Sequence, residues 1–100
     1  MDDAGWTDRF IRHLEIERRL SPLTCKNYRR DLEALAQWLQ KSGVEDGPSV
    51  DAEHIRAFSA ACFRRGLSAR SIQRRLSAAR TFFRYLIREG LLDANPARGR

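Results

Sequence analysis

The sequence predicts an all-α fold, a compact bundle of four or five helices. Apolar residues recur at three- and four-residue spacing along most of the chain, and no stretch alternates as a half-buried strand would. Hydroxyl or acidic residues stand ahead of the amphipathic runs, and glycines stand behind them. A chain of 100 residues supports one hydrophobic core rather than two. With 42% hydrophobic and 32% charged residues it has the composition of a folded globular domain rather than of a disordered tail.

The first helix is expected over about Thr7–Arg19, with Phe10, Ile11 and Leu14 inward and Trp6 just ahead. Ser21-Pro22 opens the second helix, an N-cap followed by a proline whose fixed φ and missing N–H suit the first helical position. That helix continues to about Ser42 and stops at Gly43. Residues 43–50, GVEDGPSV, are the one clear loop. Asp51 caps a third helix, with Glu53 and His54 in its first turn, ending at Gly66. Ser68 caps the fourth, which ends at Gly90. Residues 1–90 therefore read as the domain. The tail 91–100, LLDANPARGR, has a proline and no periodicity, and reads as the start of a linker. The second and fourth helices begin alike, Leu20-Ser21-x-x-Thr24 and Leu67-Ser68-x-x-Ser71, so the two openings are either a duplicated helical hairpin or two ordinary caps.

Spacing residues at about 100° separates the faces of each helix. Cys25, Tyr28, Leu32, Leu35, Ala36 and Leu39 share the apolar arc of the second helix, opposite Lys26, Arg29, Arg30, Glu33, Gln37 and Lys41. Ile72, Leu76, Ala79, Phe83, Leu86 and Ile87 form the apolar arc of the fourth, opposite Arg70, Gln73, Arg74, Ser77, Arg80, Thr81 and Arg84. Tyr28 and Trp38 read as core or core-edge residues.

Charge is unevenly placed. Residues 1–50 carry 8 Lys or Arg against 9 Asp or Glu, whereas residues 51–100 carry 11 against 4. No carboxylate occurs between His54 and Arg88. A helix meant only to be solvated usually mixes its charges one turn apart. This asymmetry points instead to a polyanion, most simply nucleic acid. Gln, Ser and Thr between the arginines also bond phosphates and base edges, and the helix opening at Ser68 and Ser71 adds hydroxyls and backbone N–H groups. A rigid helix fits the major groove of B-form DNA, while the narrow groove of A-form RNA excludes it, so double-stranded DNA is the expected partner.

Within that face Arg70, Gln73 and Arg74 occupy the first two turns, where a docked helix meets bases or phosphates, and Arg80 and Arg84 extend it as phosphate contacts. Arg75, at the edge of the apolar arc, is either a contact or a structural residue with a buried stem. On the second helix the matching candidates are Thr24, Lys26, Asn27 and Arg30, where Asn27 either reads adenine or is a plain surface amide.

Catalytic and metal chemistry find little support. His13 and His54 are far apart, no Cys/His cluster has metal-ligand spacing, and there is no Gly-rich phosphate loop. Glu15 and Glu17 read as solvated acids. No cofactor, metal or small-molecule ligand is expected. No apolar run approaches the roughly 20 residues that span a bilayer. MDDAGWTDRF lacks the layout of an export signal, so Cys25 and Cys62 read as reduced packing residues of a cytoplasmic protein.

The stretches FIRHLEIERRLSPLTCKNYRRDLEAL and RSIQRRLSAARTFFRYLIREGLLDANPARG carry an E-R-x-L-S-P-x-T opening, an R-x-L-S-A-x-R helix and a closing N-P-A. Together they resemble the SAM-like, core-binding N-terminal domain of tyrosine recombinases, those of the Xer type above all. The likeness runs from Phe10 to Gly99. It implies a helical domain that covers one side of a recombination site within a two-domain clamp. Helices like the second and fourth would cross the major groove, and partner recombinase protomers would assemble into a tetramer. By that likeness Thr24, Asn27, Arg30, Ser71, Arg74 and Arg75 face DNA. The family's tyrosine nucleophile and its Arg…His-x-x-Arg set have no counterpart here, since neither His13 nor His54 has an arginine three residues on. The chain is thus expected to bind without cleaving, with the catalytic domain beyond the linker. The rival readings are a phage or integron integrase domain using the same fold, and a basic helical module for an acidic protein partner. A helix-turn-helix repressor is disfavoured by the length of the second and fourth helices.

Overall fold

The computed structural model describes residues 3–44 and 49–97. Four helices and no strand occur among the described residues: α1 (Asp3–Ile16), α2 (Pro22–Lys41), α3 (Ala52–Arg64) and α4 (Ala69–Arg88). The middle of the 43–50 loop lies outside the described residues, whereas Val44 and Val50 on either side of it are buried.

Caps set the bounds of α2, α3 and α4 where the sequence puts them. Ser21 and Ser68, both in extended backbone, accept the N–H of Thr24 and Ser71 at 3.2 and 3.1 Å. Asp51 and His54 form a reciprocal capping box. The Asp51 carboxylate takes the His54 N–H at 3.0 Å, and His54 Nδ1 takes the Asp51 N–H at 3.1 Å. At the other ends Gly43, Gly66 and Gly90 adopt φ between +81° and +89°, the left-handed turn that glycine enters without a Cβ clash. The next residue's N–H then closes on the helix, as when Leu67 N–H donates to the Cys62 carbonyl at 3.1 Å.

The first helix differs from expectation. It begins at Asp3 rather than near Thr7, which makes Trp6 a helical residue packed on the core. It ends at Ile16 rather than Arg19 because Leu20 must turn back onto the core. Arg19 takes φ 51°, and the Leu20 N–H reaches the Leu14 carbonyl at 3.0 Å.

α2 packs against all three other helices, most extensively α4 and α1, and α3 bridges α2 and α4. Aromatic rings fill the junction. Phe10 of α1 meets Phe82 of α4 edge-on at 5.4 Å and Tyr28 of α2 at 5.9 Å, while Trp38 of α2 meets Phe58 of α3 at 5.8 Å. Tyr28 and Trp38 thus lie at the core edge, as their positions suggest. Phe82, on the margin of the expected apolar arc, is wholly buried. Residues 91–97 turn back along α4. Leu91 and Leu92 pack on the core, Ala97 is buried, and the Asn95 amide donates to the Arg80 carbonyl at 3.0 Å.

Glu17, expected as a solvated acid, links the C-terminal ends of α1 and α4. Its Oε2 lies 3.1 Å from His13 Nδ1 and 3.5 Å from Arg88 Nη2. The His13 contact, aided by Arg88 and opposed by desolvation, holds the Glu17 carboxyl below the ordinary glutamate range.

Phe82→Ala is expected to lower unfolding stability by about 3–5 kcal/mol in urea denaturation. Phe63→Ala, at a side chain 75% exposed, should stay within about 0.5 kcal/mol of the parent. Because the Glu17 carboxyl is lowered in the folded state, its contribution is complete above the ordinary glutamate value and is lost as pH falls through the folded one. Glu17→Gln should therefore flatten the acid-side decline of the melting temperature while leaving the alkaline side unchanged.

Candidate nucleic-acid interface

A groove of about 300 Å³ opens between α2 and α4, lined by Thr24, Asn27, Tyr28 and Asp31 on one wall and Arg74, Ser77 and Ala78 on the other. Small side chains at Ser77 and Ala78 hold one wall low, which is why the helices can pack and still leave the opening. Three expected site residues, Thr24, Asn27 and Arg74, meet here. Beside it, Arg70, Gln73, Ser77, Thr81 and Arg84 follow one stripe of α4 at helical spacing, and all but the partly covered Thr81 are exposed. The Thr81 hydroxyl donates to the Ser77 carbonyl and accepts from Arg84 Nη2, each at 3.1 Å, so Arg84 lies along the stripe. Neither Arg30 nor Arg70 nor Arg84 pairs with an acid among the described residues.

At the floor of the groove lies a residue that patterning missed. Asp31 is 4% exposed, and both its oxygens accept from Arg74, Oδ2 from Nε and Oδ1 from Nη2, each at 3.0 Å. Arg74 is therefore not the free surface arginine that its place on the polar arc suggests. Its side chain remains 45% exposed on the groove side. Hydrogen bonding to Asp31 first, and its charge second, raise the guanidinium pKa against a smaller opposing effect of burial. A buried carboxylate seldom lacks a partner, and the acid at 31, one residue ahead of the apolar Leu32 and 43 positions from Arg74, was the available signal.

The remaining candidates sit elsewhere. Lys26 faces a second groove, between α1 and α2, with Asp8, Arg12, Glu15 and Arg29, where Arg29 and Asp8 pair at 2.6 Å. Arg75 turns toward α3, its Nη1 3.6 Å from Cys62 Sγ and its Nε buried without a partner, so the structural alternative fits its position. Ser68 and Ser71 bond each other in the cap, hydroxyl to hydroxyl at 3.1 Å. Arg80 lies at the stripe's margin, where Asn95 reaches its carbonyl. Cys25 and Cys62 are buried free thiols, and burial pushes Cys25 up, away from reactivity. Among the described residues no group of three His, Cys, Asp or Glu side chains could hold a metal ion, and no helix is long and apolar enough to cross a membrane.

A short four-helix bundle with capped second and fourth helices, a polar groove between them and an arginine stripe beside it is the architecture of a small helical binding module. Residues 7–90 match the family described as phage integrase, N-terminal SAM-like domain, and the chain belongs to that family. Its relatives include Tyrosine recombinase XerC of Escherichia coli O157:H7, 42% identical over 92 residues that cover 92% of this chain and 31% of that protein. Tyrosine recombinase XerC of Xanthomonas campestris pv. campestris is 46% identical over 88 residues, covering 88% of this chain and 27% of that protein. The chain thus spans about a third of the length of these relatives. No solved structure matches it.

The two halves of the buried pair should respond unequally to truncation. Arg74→Ala strands the Asp31 carboxylate and is expected to cost up to about 3 kcal/mol of unfolding stability. Asp31→Ala leaves a guanidinium that can turn to water and should cost about 1 kcal/mol. Urea denaturation of both variants at neutral pH checks the order.

Proposed function

We propose that this chain is the DNA-binding N-terminal domain of a site-specific tyrosine recombinase of the XerC kind, acting in chromosome-dimer resolution in the cytoplasm. The observation that carries the reading is the α2–α4 groove, which gathers Thr24, Asn27 and Arg74 beside an α4 stripe that carries the uncompensated cations Arg70 and Arg84. In this reading α2 and α4 dock in the major groove of the recombination site. Arg30, Arg70 and Arg84 neutralise phosphates, and Asn27, Gln73 and Arg74 reach base edges, since phosphate contacts position while base contacts specify. The residues of the α4 stripe suit this because a straight helix face can follow a groove for several turns. The strand-transfer chemistry would lie in a catalytic domain joined through a linker that starts within residues 91–100. The full-length protein would work as a tetramer of recombinase protomers on two DNA sites. This domain itself would bind duplex DNA without cleaving it and without a cofactor. Identities of 42–46% to proteins named XerC favour this over a phage or integron integrase.

The test is a fluorescence-anisotropy titration of the chain with a duplex carrying a chromosomal recombination site and with a scrambled duplex, across a salt series. Affinity should fall steeply with salt, and Arg70→Ala or Arg30→Ala should weaken binding to both duplexes and reduce the magnitude of the log–log salt slope by about 0.9 each. Salt-sensitive binding to any polyanion, with the two duplexes bound alike, would instead mark a basic module for an acidic protein partner.

A further inference from the structure

We infer that Asp31 is a positioning residue for sequence readout: it fixes the Arg74 guanidinium in one orientation across the α2–α4 groove and cancels its charge. The inference rests on the DNA-binding reading of that groove. A guanidinium has five N–H groups in a planar fork. Two of them, on Nε and Nη2, are held by the carboxylate at 3.0 Å each. The other three, one on Nη2 and two on Nη1, lie on edges turned away from Asp31. The carboxylate is 4% exposed and the Arg74 side chain 45%, so the acid lies behind the arginine and the arginine faces the opening. Thr24, Asn27, Tyr28 and Ser77 surround that opening, and no other acid lines it.

Two consequences follow from the geometry. A fork already anchored on one side loses little freedom when its outer edge meets a pair of acceptors, such as guanine O6 and N7. Its charge is matched by a carboxylate in contact, so the pair offers directed donors and almost no net attraction for phosphate. Arg30 and Arg70, which have no acid partner among the described residues, offer the reverse: charge without fixed direction. Asp31 thereby makes the groove floor discriminating, and the surrounding arginines make it adhesive. A carboxylate in a basic groove serves that division, whereas for adhesion alone it is a cost.

The experiment uses this chain, a duplex selected by it from a randomised pool, and a scrambled duplex of equal length, titrated across a salt series. For Asp31→Asn, which keeps the shape and removes the charge, binding to the scrambled duplex should tighten and its salt slope steepen by up to about 0.9, because a cation is uncovered. The ratio of selected to scrambled affinity should fall about tenfold as the fork is released. Arg74→Lys keeps an ion pair with Asp31 and abolishes the fork. It guards against a misfolded asparagine variant, and it should lose the ratio by a similar factor with the scrambled affinity unchanged. Folding of each variant is checked by its thermal melt in circular dichroism. Folded variants that keep the ratio, or that weaken both duplexes equally, would overturn the inference and leave Asp31 a purely structural acid. A parent chain that binds both duplexes alike would overturn it too. If the parent binds no duplex at low salt, or Arg70→Ala changes nothing, the DNA-binding reading itself fails, which separates that failure from a failure of the Asp31 inference alone.

Discussion

The Asp31 carboxylate sits where α2 packs on α4, and the need to satisfy it constrains how those helices meet. An unpaired charge in such a position would cost several kcal/mol, more than a single well-buried aliphatic side chain returns. Sliding α2 along α4 by one turn toward the C-terminal end of α4 would place Asp31 opposite Ala78 rather than Arg74 and would impose that cost. The aromatic contacts agree with the same register, since Phe10 touches Tyr28 on α2 and Phe82 on α4 at once. Apolar packing supplies the bulk of the stability and tolerates small shifts. The ion pair adds a directed preference for the alignment that those rings share. The groove that carries the proposed function is a by-product of that alignment, because the residues on either side of the pair, Thr24 and Asn27 against Ser77 and Ala78, are too small to close it.

The openings of α2 and α4 are built the same way in atomic detail. In each, a residue at positive φ precedes a leucine that packs on the core, and a serine then caps the helix. The cap bonds run to the third helical position through both backbone and hydroxyl. Five residues past Leu20 and Leu67 come Cys25 and Ile72, both buried, the positions that a hydrophobic staple joins. Each part has a local reason, since the left-handed residue ends the preceding helix and the leucine completes the staple, so the likeness fits two ordinary caps as well as a duplicated hairpin. The left-handed position is Gly66 before α4 but Arg19 before α2, where a side chain tolerates what glycine does freely. This repeated opening sets α2 and α4 as the paired, longest elements of the fold, with α1 and α3 as the supports that precede them.

Local chemistry made most of the fold legible. Ser21-Pro22, Asp51, Ser68 and the three glycines act within four residues of themselves, so they mark ends wherever the rest of the chain lies. The start of α1 has no such marker, and its end depends on Leu20 reaching a core that only the folded chain possesses. The site was legible as a face but not as a set of contacts. Helical spacing puts Arg74 among the polar residues and leaves Lys26 beside Asn27, yet Lys26 turns into the α1–α2 groove. Asp31 escaped because its meaning depends on a residue 43 positions away, and one-helix periodicity treats an acid next to a buried leucine as a surface residue. Arg75 is the converse case, a charged residue beside the apolar arc whose side chain turns inward toward α3, the structural one of its two readings.

The excess of arginine over acid in the second half of the chain therefore resolves into unlike parts. Arg56, Arg74 and Arg88 are matched by carboxylates, Glu53 for the first, Asp31 for the second, Glu17 and Glu89 for the third. Arg75 is drawn inward toward α3. What remains uncompensated on α4, Arg70 and Arg84, lies on the one stripe that borders the groove. Arg64 and Arg65, exposed at the end of α3, are also unmatched among the described residues, so the α4 stripe holds part of the uncompensated charge and not all of it. On the DNA-binding reading proposed above, Arg70 and Arg84 raise the local potential where a rigid polyanion would lie along α4, and the Asp31–Arg74 pair beside them adds directed donors without net charge. Charge placement, more than charge total, is therefore the feature on which that reading depends, because folding alone requires neither the bare stripe on α4 nor the matched pair behind it.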